Sequence, residues 1–406
     1  MKSVFYRALL VSGVFAAVGD AYSLYDAAPM VGLPESHAIR YSMSARVGYD
    51  SNVNWSYTGH EDESVYVNAS VSAAYADMES VNKLSYNVRL GASHYFGLED
   101  NSSVSETRGD CALSASVVHA FGAADTYSGS LSVTYSPQPD YASGYSPAYS
   151  YGDIVTVSQS NVYSHAIDAR WSWNASVSFQ SVNYTENEER SDDRYYLSAG
   201  TGLQYRESSL LTYMFNLGYS RDLRDCGQDS NVYTATVGFQ RSLDPFSSCG
   251  GSIGIQARQY SSDTIVNPCG NFSYRRKVSE GLNVSFYTSF SNENVDTYRS
   301  TGGSSGASYL SDMTWRVGMN SSYVLSPDVT YNFGASLMRS NYSRGGGRLM
   351  NEETLSVQLT AGLSYAFSRD LRGDISGSYN WYMRDYEVYD QDMNRWTVST
   401  GLTYSF

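Results

Sequence analysis

Beyond residue 21 the chain has no apolar run near the roughly 20 residues that a membrane-crossing helix needs, and its mean hydropathy is −0.37. A helical membrane protein is thereby excluded. Positive charge is also scarce: 27 Lys+Arg stand against 41 Asp+Glu, for a formal net charge of −14. A molecule of that sign repels phosphate backbones, which argues against a nucleic-acid partner. Histidine is limited to His37, His60, His94, His119 and His165, scattered without paired ligand spacing. Neither a metal centre nor any other cofactor is therefore expected.

What the chain does have is tyrosine, 38 of them, with 34 glycines and abundant serine. These residues are arranged in a period of two. Ile39, Tyr41, Met43, Ala45 and Val47 alternate with small polar residues. So do Val65, Val67, Ala69, Val71, Ala73 and Tyr75, then Trp171, Trp173, Ala175, Val177 and Phe179. Side chains of an extended segment alternate between its faces, so each run is a strand with one apolar and one polar side. Runs of this kind recur to the end of the chain and predict about 18 strands, with 16–18 as the range. Their length, roughly 10 to 14 residues, exceeds what soluble sheets use and suits a tilted crossing of a bilayer. Short connections, such as 77–82, 122–125, 207–209 and 368–371, alternate with long ones at 50–64, 97–110, 137–152, 185–193, 292–311 and 341–352. The fold expected is all-β: a transmembrane antiparallel up-and-down β-barrel with short periplasmic turns and long extracellular loops.

In a barrel that wide, side chains cannot fill the interior, so the polar face should point inward and the apolar face toward lipid. Arg89, Arg258 and Arg316 fall on the polar face and are the expected lumen-facing charges. Aromatics gather toward strand ends as two girdles, Trp171, Trp173, Tyr323, Tyr365 and Phe367 near one rim and Tyr135 and Trp396 near the other. Four cysteines, Cys111, Cys226, Cys249 and Cys269, allow three pairings. The topology puts Cys226 and Cys269 on neighbouring loops near one rim, which makes them the favoured disulfide, and leaves Cys249 near the opposite rim.

The two ends read as export and insertion signals. Lys2 and Arg7 precede an apolar core at 8–18 and small residues at Gly19 and Ala21, so residues 1–21 are expected to be a cleaved signal peptide. Residues 22–38 follow as a short periplasmic connector and 39–406 as the barrel. The last strand carries Trp396, Val398, Leu402, Tyr404 and Phe406 on one face and ends on the aromatic. That pattern is the expected signal for the machinery that assembles barrels in a bacterial outer membrane.

Tyr49-Asp50-Ser51-Asn52-Val53 resembles the Tyr-Asp-x-Asn motif of the outer-membrane beta-barrel porin family of the second type. The stretch from Gly152-Asp153 through Trp171-Ser172 to Tyr184 is similar to that family too, and with the terminal Phe the likeness spans most of the mature chain. The resemblance implies an outer-membrane barrel, often found beside polysaccharide-export genes, with no established catalytic residues. No site residue is carried over from it.

Taken together, the expected function is a porin-like channel for passive diffusion of small hydrophilic solutes, with a weak cation preference from the acidic balance. Expected partners are outer-membrane lipid and lipopolysaccharide, the assembly machinery, and the solutes themselves, with oligomers allowed. The alternatives are a barrel with a plugged lumen acting in adhesion or glycan binding, and an outlet for exported polysaccharide. An enzyme is not expected.

Overall fold

The computed structural model describes residues 39–53, 61–78, 82–98, 105–136, 153–185, 193–224, 229–260, 264–293, 309–344, 351–385 and 390–406. The expected signal peptide and connector, Cys226, and the 137–152 loop lie outside these. The strands are β1 (Arg40–Asp50), β2 (Ser64–Met78), β3 (Asn82–Phe96), β4 (Thr107–Ala120), β5 (Asp125–Ser136), β6 (Ile154–Ala166), β7 (Trp171–Tyr184), β8 (Arg194–Arg206) and β9 (Leu211–Arg224). They continue as β10 (Ser230–Asp244), β11 (Ser247–Gln259), β12 (Thr264–Lys277), β13 (Leu282–Glu293), β14 (Tyr309–Ser326), β15 (Val329–Arg344), β16 (Asn351–Ala366), β17 (Leu371–Asp385) and β18 (Asp390–Ser405). Each strand pairs antiparallel with its sequence neighbours, and β1 pairs with β18, so the 18-stranded sheet closes on itself. Closure leaves no edge strand with unpaired backbone, which a sheet in hydrocarbon could not tolerate.

The faces are inverted relative to a soluble barrel. In β1 the exposed outward residues are Tyr41, Met43, Ala45 and Val47, while Ser42, Ser44, Arg46, Gly48 and Asp50 turn inward. Val65, Val67 and Val71 of β2, and Trp396, Val398, Leu402 and Tyr404 of β18, are likewise outward and exposed. An apolar belt of that extent is far larger than any patch a water-soluble surface carries. Inward serines hydrogen-bond across strands instead: Ser42 to Ser72 at 2.6 Å, Ser44 to Ser70 at 2.7 Å and Ser178 to Ser198 at 2.6 Å. Serine suits this face because it is short enough for the partner strand and leaves lone pairs for water.

Strand ends show where polarity misleads. The strands run 11 to 18 residues, longer than expected. Asn292–Glu293 finish β13, Tyr309 opens β14, and β15 and β16 extend to Arg344 and from Asn351. Asp385 and Asp390 close and open β17 and β18. Beyond the belt no hydrocarbon requires an apolar outer face, so the period-two signal vanishes while the ladder continues.

The short connections follow the even-numbered strands and form one rim, called here the turn rim; the opposite rim is the loop rim. Local polar caps set these turns. Between β6 and β7, Asp168 Oδ1 accepts the backbone N–H groups of Arg170 at 2.6 Å and Trp171 at 2.7 Å. Ser368 does the same for Leu371 at 3.0 Å. The two backbone hydrogen bonds hold the Asp168 carboxyl below the usual carboxylate range. A depressed carboxylate stabilises the turn above its unfolded pKa and loses that contribution as pH falls through the folded value. Amide exchange at Arg170 and Trp171 should therefore quicken below about pH 4, and Asp168→Asn should remove that pH dependence. Hydrogen exchange followed by mass spectrometry checks both.

Candidate functional site: the lumen wall

The wall is built from every second residue of each strand, so its charges follow from register. Arg89, Arg258 and Arg316 all point inward, since their flanking residues Val88, Leu90 and Trp315 are exposed on the outside. They are joined by many other cations. Near the turn rim stand Lys83, Arg206, Arg275, Lys277 and Arg372, while Asp244, at a bulge, accepts from Phe246 N–H and the Ser247 hydroxyl in the β10–β11 turn. Arg275 and Lys277 border a recess of about 850 Å³ whose other lining is mainly uncharged, including Asn283, Asn320, Asn332 and Gln358.

At mid-wall, cations meet carboxylates. Arg46 of β1 bonds Asp374 of β17 at 2.6 Å and donates to Ser376 and Ser399 hydroxyls at 3.0 Å each. Arg89 lies 3.7 Å from Asp110. Toward the loop rim, Arg108 covers the Tyr95 ring, with its guanidinium carbon 5.3 Å from the ring centroid, in a position suited to cation–π attraction. Among side chains described, inward cations well outnumber the inward carboxylates of the strands, which are Asp50, Asp110, Asp222 and Asp374. The acid that gives the whole chain its negative charge sits in connections and rims, at Glu61, Asp62, Glu63, Glu106, Asp168, Glu207, Glu280, Asp328 and Asp370.

The Tyr-Asp-x-Asn motif has a definite place. Asp50 and Asn52 are inward and almost fully buried, at 1% and 0% exposure. Asp50 pairs in a forked geometry with Arg395 of β18: Nε donates to Oδ1 at 2.9 Å and Nη2 donates to Oδ2. Asn52 N–H caps Asp50 Oδ1 at 3.1 Å, and its Nδ2 donates to the Asn394 carbonyl at 2.9 Å. Ser51 N–H donates to the Trp396 carbonyl at 3.1 Å while Trp396 N–H donates to Ser51 Oγ at 2.9 Å. Outside, Tyr49 packs on Trp396 with ring centroids 4.7 Å apart. The motif thus fastens the first strand to the last at the loop rim. At the turn rim Tyr41 and Phe406 exchange backbone hydrogen bonds of 3.0 and 2.9 Å and stack at 5.9 Å. Sequence reasoning found the motif but not Arg395; the available signal was its polar-face position beside Trp396.

Trp396, Val398, Leu402, Tyr404 and Phe406 lie on the outer face. His94 and His119 also face outward, each edge-on to a phenylalanine, Phe96 and Phe121. Cys269 is inward, buried and a free thiol; Cys226, its expected partner, is outside the described residues. Cys111 and Cys249 are free as well.

A closed sheet, apolar without and polar within, has one solvent arrangement that satisfies both faces: hydrocarbon around it and water inside. The chain is a membrane-spanning β-barrel. Such inside-out barrels are the architecture of bacterial outer membranes. No family model matches the barrel, and no curated protein does. Solved structures similar to it include OccAB2 of Acinetobacter baumannii, at 12% identity over 91% of this chain and 98% of that one, with a TM-score of 0.48. The outer membrane protein OpdK of Pseudomonas aeruginosa is similar at 10% identity over 91% and 99%, with a TM-score of 0.46. The assignment of the barrel to a membrane rests on its closure and its two faces.

Proposed function

We propose that the barrel is a passive diffusion channel of the outer membrane for small hydrophilic solutes, and that it favours anions. The observation that supports the sign is the surplus of inward cations, above all Lys83, Arg206, Arg275, Lys277 and Arg372. It replaces the cation preference that the net charge of −14 suggests, because a pore responds to charge lining it rather than to charge on distant connections. Between those cations the wall is mainly hydroxyl and amide, which favours solutes that exchange water for hydrogen bonds without tight binding. No chemical step is involved.

In this reading the outer belt meets lipid and lipopolysaccharide, and Trp396, Val398, Leu402, Tyr404 and Phe406 present the insertion signal to the assembly machinery. The test is single-channel recording of the purified barrel in a planar bilayer under a salt gradient. Steady ohmic steps with a reversal potential on the anion side are expected. Arg275→Glu with Lys277→Glu should move that potential toward the cation side. Electrical silence would overturn diffusion and leave adhesion or export, while a cation-side potential in the unaltered protein would overturn the charge reading.

A further inference from the structure

One part of the wall is incompletely zipped. The β11–β12 ladder continues toward the loop rim as far as Gln259 opposite Thr264, and the β13–β14 ladder as far as Glu293 opposite Asp312. Between them, the β12–β13 ladder stops at Gly270 opposite Phe290. Pro268, two residues past that stop, has no N–H to offer the neighbouring strand, so a ladder bond cannot form there.

The backbone of Asn292, which would lie opposite Pro268, is served from inside the barrel by side chains of β11. Its N–H donates to Gln256 Oε1 at 3.0 Å, and its carbonyl accepts from Gln256 Nε2 at 3.0 Å and Arg258 Nη2 at 3.1 Å. Arg258 Nε donates to Asn292 Oδ1 at 2.9 Å, and Nη1 to Ser230 Oγ at 2.9 Å. All four residues are buried. One donor in this cluster is left over: Asn292 Nδ2 is buried and has no acceptor. A buried amide donor without a partner is costly, and it sits beside a guanidinium, so the chemistry that completes it is an anionic oxygen.

The outer side of the same break is apolar. Val266 of β12 and, one strand away, Ile255 of β11 opposite Pro268 are each 61% exposed, and Phe290 lies over Gly270, where a side chain would meet its ring. Phe290 is opposite Trp315, which is outward and whose indole Nε1 donates to Thr288 Oγ1 at 3.0 Å. A buried polar cluster at a break in the ladder, with the apolar outer belt beside it, matches a molecule with a small anionic head and a single hydrocarbon chain.

We propose that the unzipped β12–β13 seam is a lateral binding site for a single-chain carboxylate amphiphile of the fatty-acid type. The carboxylate accepts from Asn292 Nδ2 beside Arg258, and the chain passes between Pro268 and Phe290 to lie along Ile255 and Val266. This inference is independent of whether the lumen conducts.

The probe is spin-labelled laurate added to proteoliposomes of the full barrel, read as the motionally restricted fraction of its resonance spectrum. Unaltered protein should give a saturable restricted fraction that unlabelled laurate displaces and acetate at equal concentration does not. Asn292→Asp keeps the shape but replaces the donor by a carboxylate, and should weaken binding by about tenfold or more. A second arm uses the native thiol: continuing the register puts Ser291 opposite Cys269, so Ser291→Cys, with Cys111, Cys226 and Cys249 replaced by serine, can staple the seam. Oxidised, it should lose the restricted fraction, and reduction should restore it. Should the staple not form, Pro268→Val, which returns an N–H to β12, should reduce binding instead. Unchanged laurate binding in Asn292→Asp, or displacement by acetate as effective as by laurate, would overturn the proposal. Single-channel current recorded on the same preparations separates this outcome from failure of the diffusion reading.

Discussion

Asp50→Ala should loosen the barrel at the seam where its ends meet and lower its stability by about 3–5 kcal/mol, the usual cost of orphaning one member of a buried ion pair. Asp50 is 1% exposed and Arg395 8% exposed, so the remaining guanidinium would be held in a dry site without its carboxylate. The effect is compounded because Asp50 Oδ1 also accepts the N–H of Asn52, whose side chain in turn holds the Asn394 carbonyl. Urea unfolding in lipid vesicles gives the number, and loss of the compact band of unheated protein in detergent gels gives a second readout. Replacing both partners, Asp50→Ala with Arg395→Met, should cost clearly less than the single change, since no charge is then stranded. A single variant as stable as the parent would show that the motif does not hold the seam.

Val71→Arg should cost about 2–4 kcal/mol, because it places a charge at the midplane of the lipid face. Val71 is at the centre of β2, opposite Met43 on one side and Leu90 on the other, and all three are outward and exposed. The neighbouring change Ser70→Arg points into the water-filled side, opposite Ser44 and Gly91. It loses a serine pair of 2.7 Å and should cost much less. Side-by-side unfolding of the two variants in the same vesicles measures the difference. Equal costs would remove the basis for placing lipid outside and water inside.

Much of this architecture was legible in the residues because the bilayer imposes a strict alternation over its whole thickness. Wherever a strand crosses the belt, as in Trp171 to Phe179, the period of two gave the strand, its faces and its approximate ends. Legibility failed where that constraint ends. Asn292, Tyr309, Asp385 and Asp390 lie in strands but read as loop, since the apolar alternation stops before the ladder does. Charge gives two different signs for a related reason: the net charge counts the whole chain, whereas Arg275, Lys277 and Arg372 lie on one face of it. Arg395 was missed because its partner Asp50 is at the other end of the sequence, and only barrel closure brings the two together. The Asn292 cluster was hidden in the same way, since nothing local announces that a glutamine on β11 serves a backbone on β13.

The overshoot of the strands has a consequence for how the barrel meets its bilayer. β14 has 18 residues, where a tilted crossing takes roughly 9–11. Seven or so surplus residues, at about 3.3 Å each and inclined near 45°, add on the order of 15 Å of axial height to that strand, divided between its two ends. Some of β14 therefore stands outside the hydrocarbon at any depth, so a change of bilayer thickness is met by sliding along a ladder that is already paired rather than by forming or breaking one.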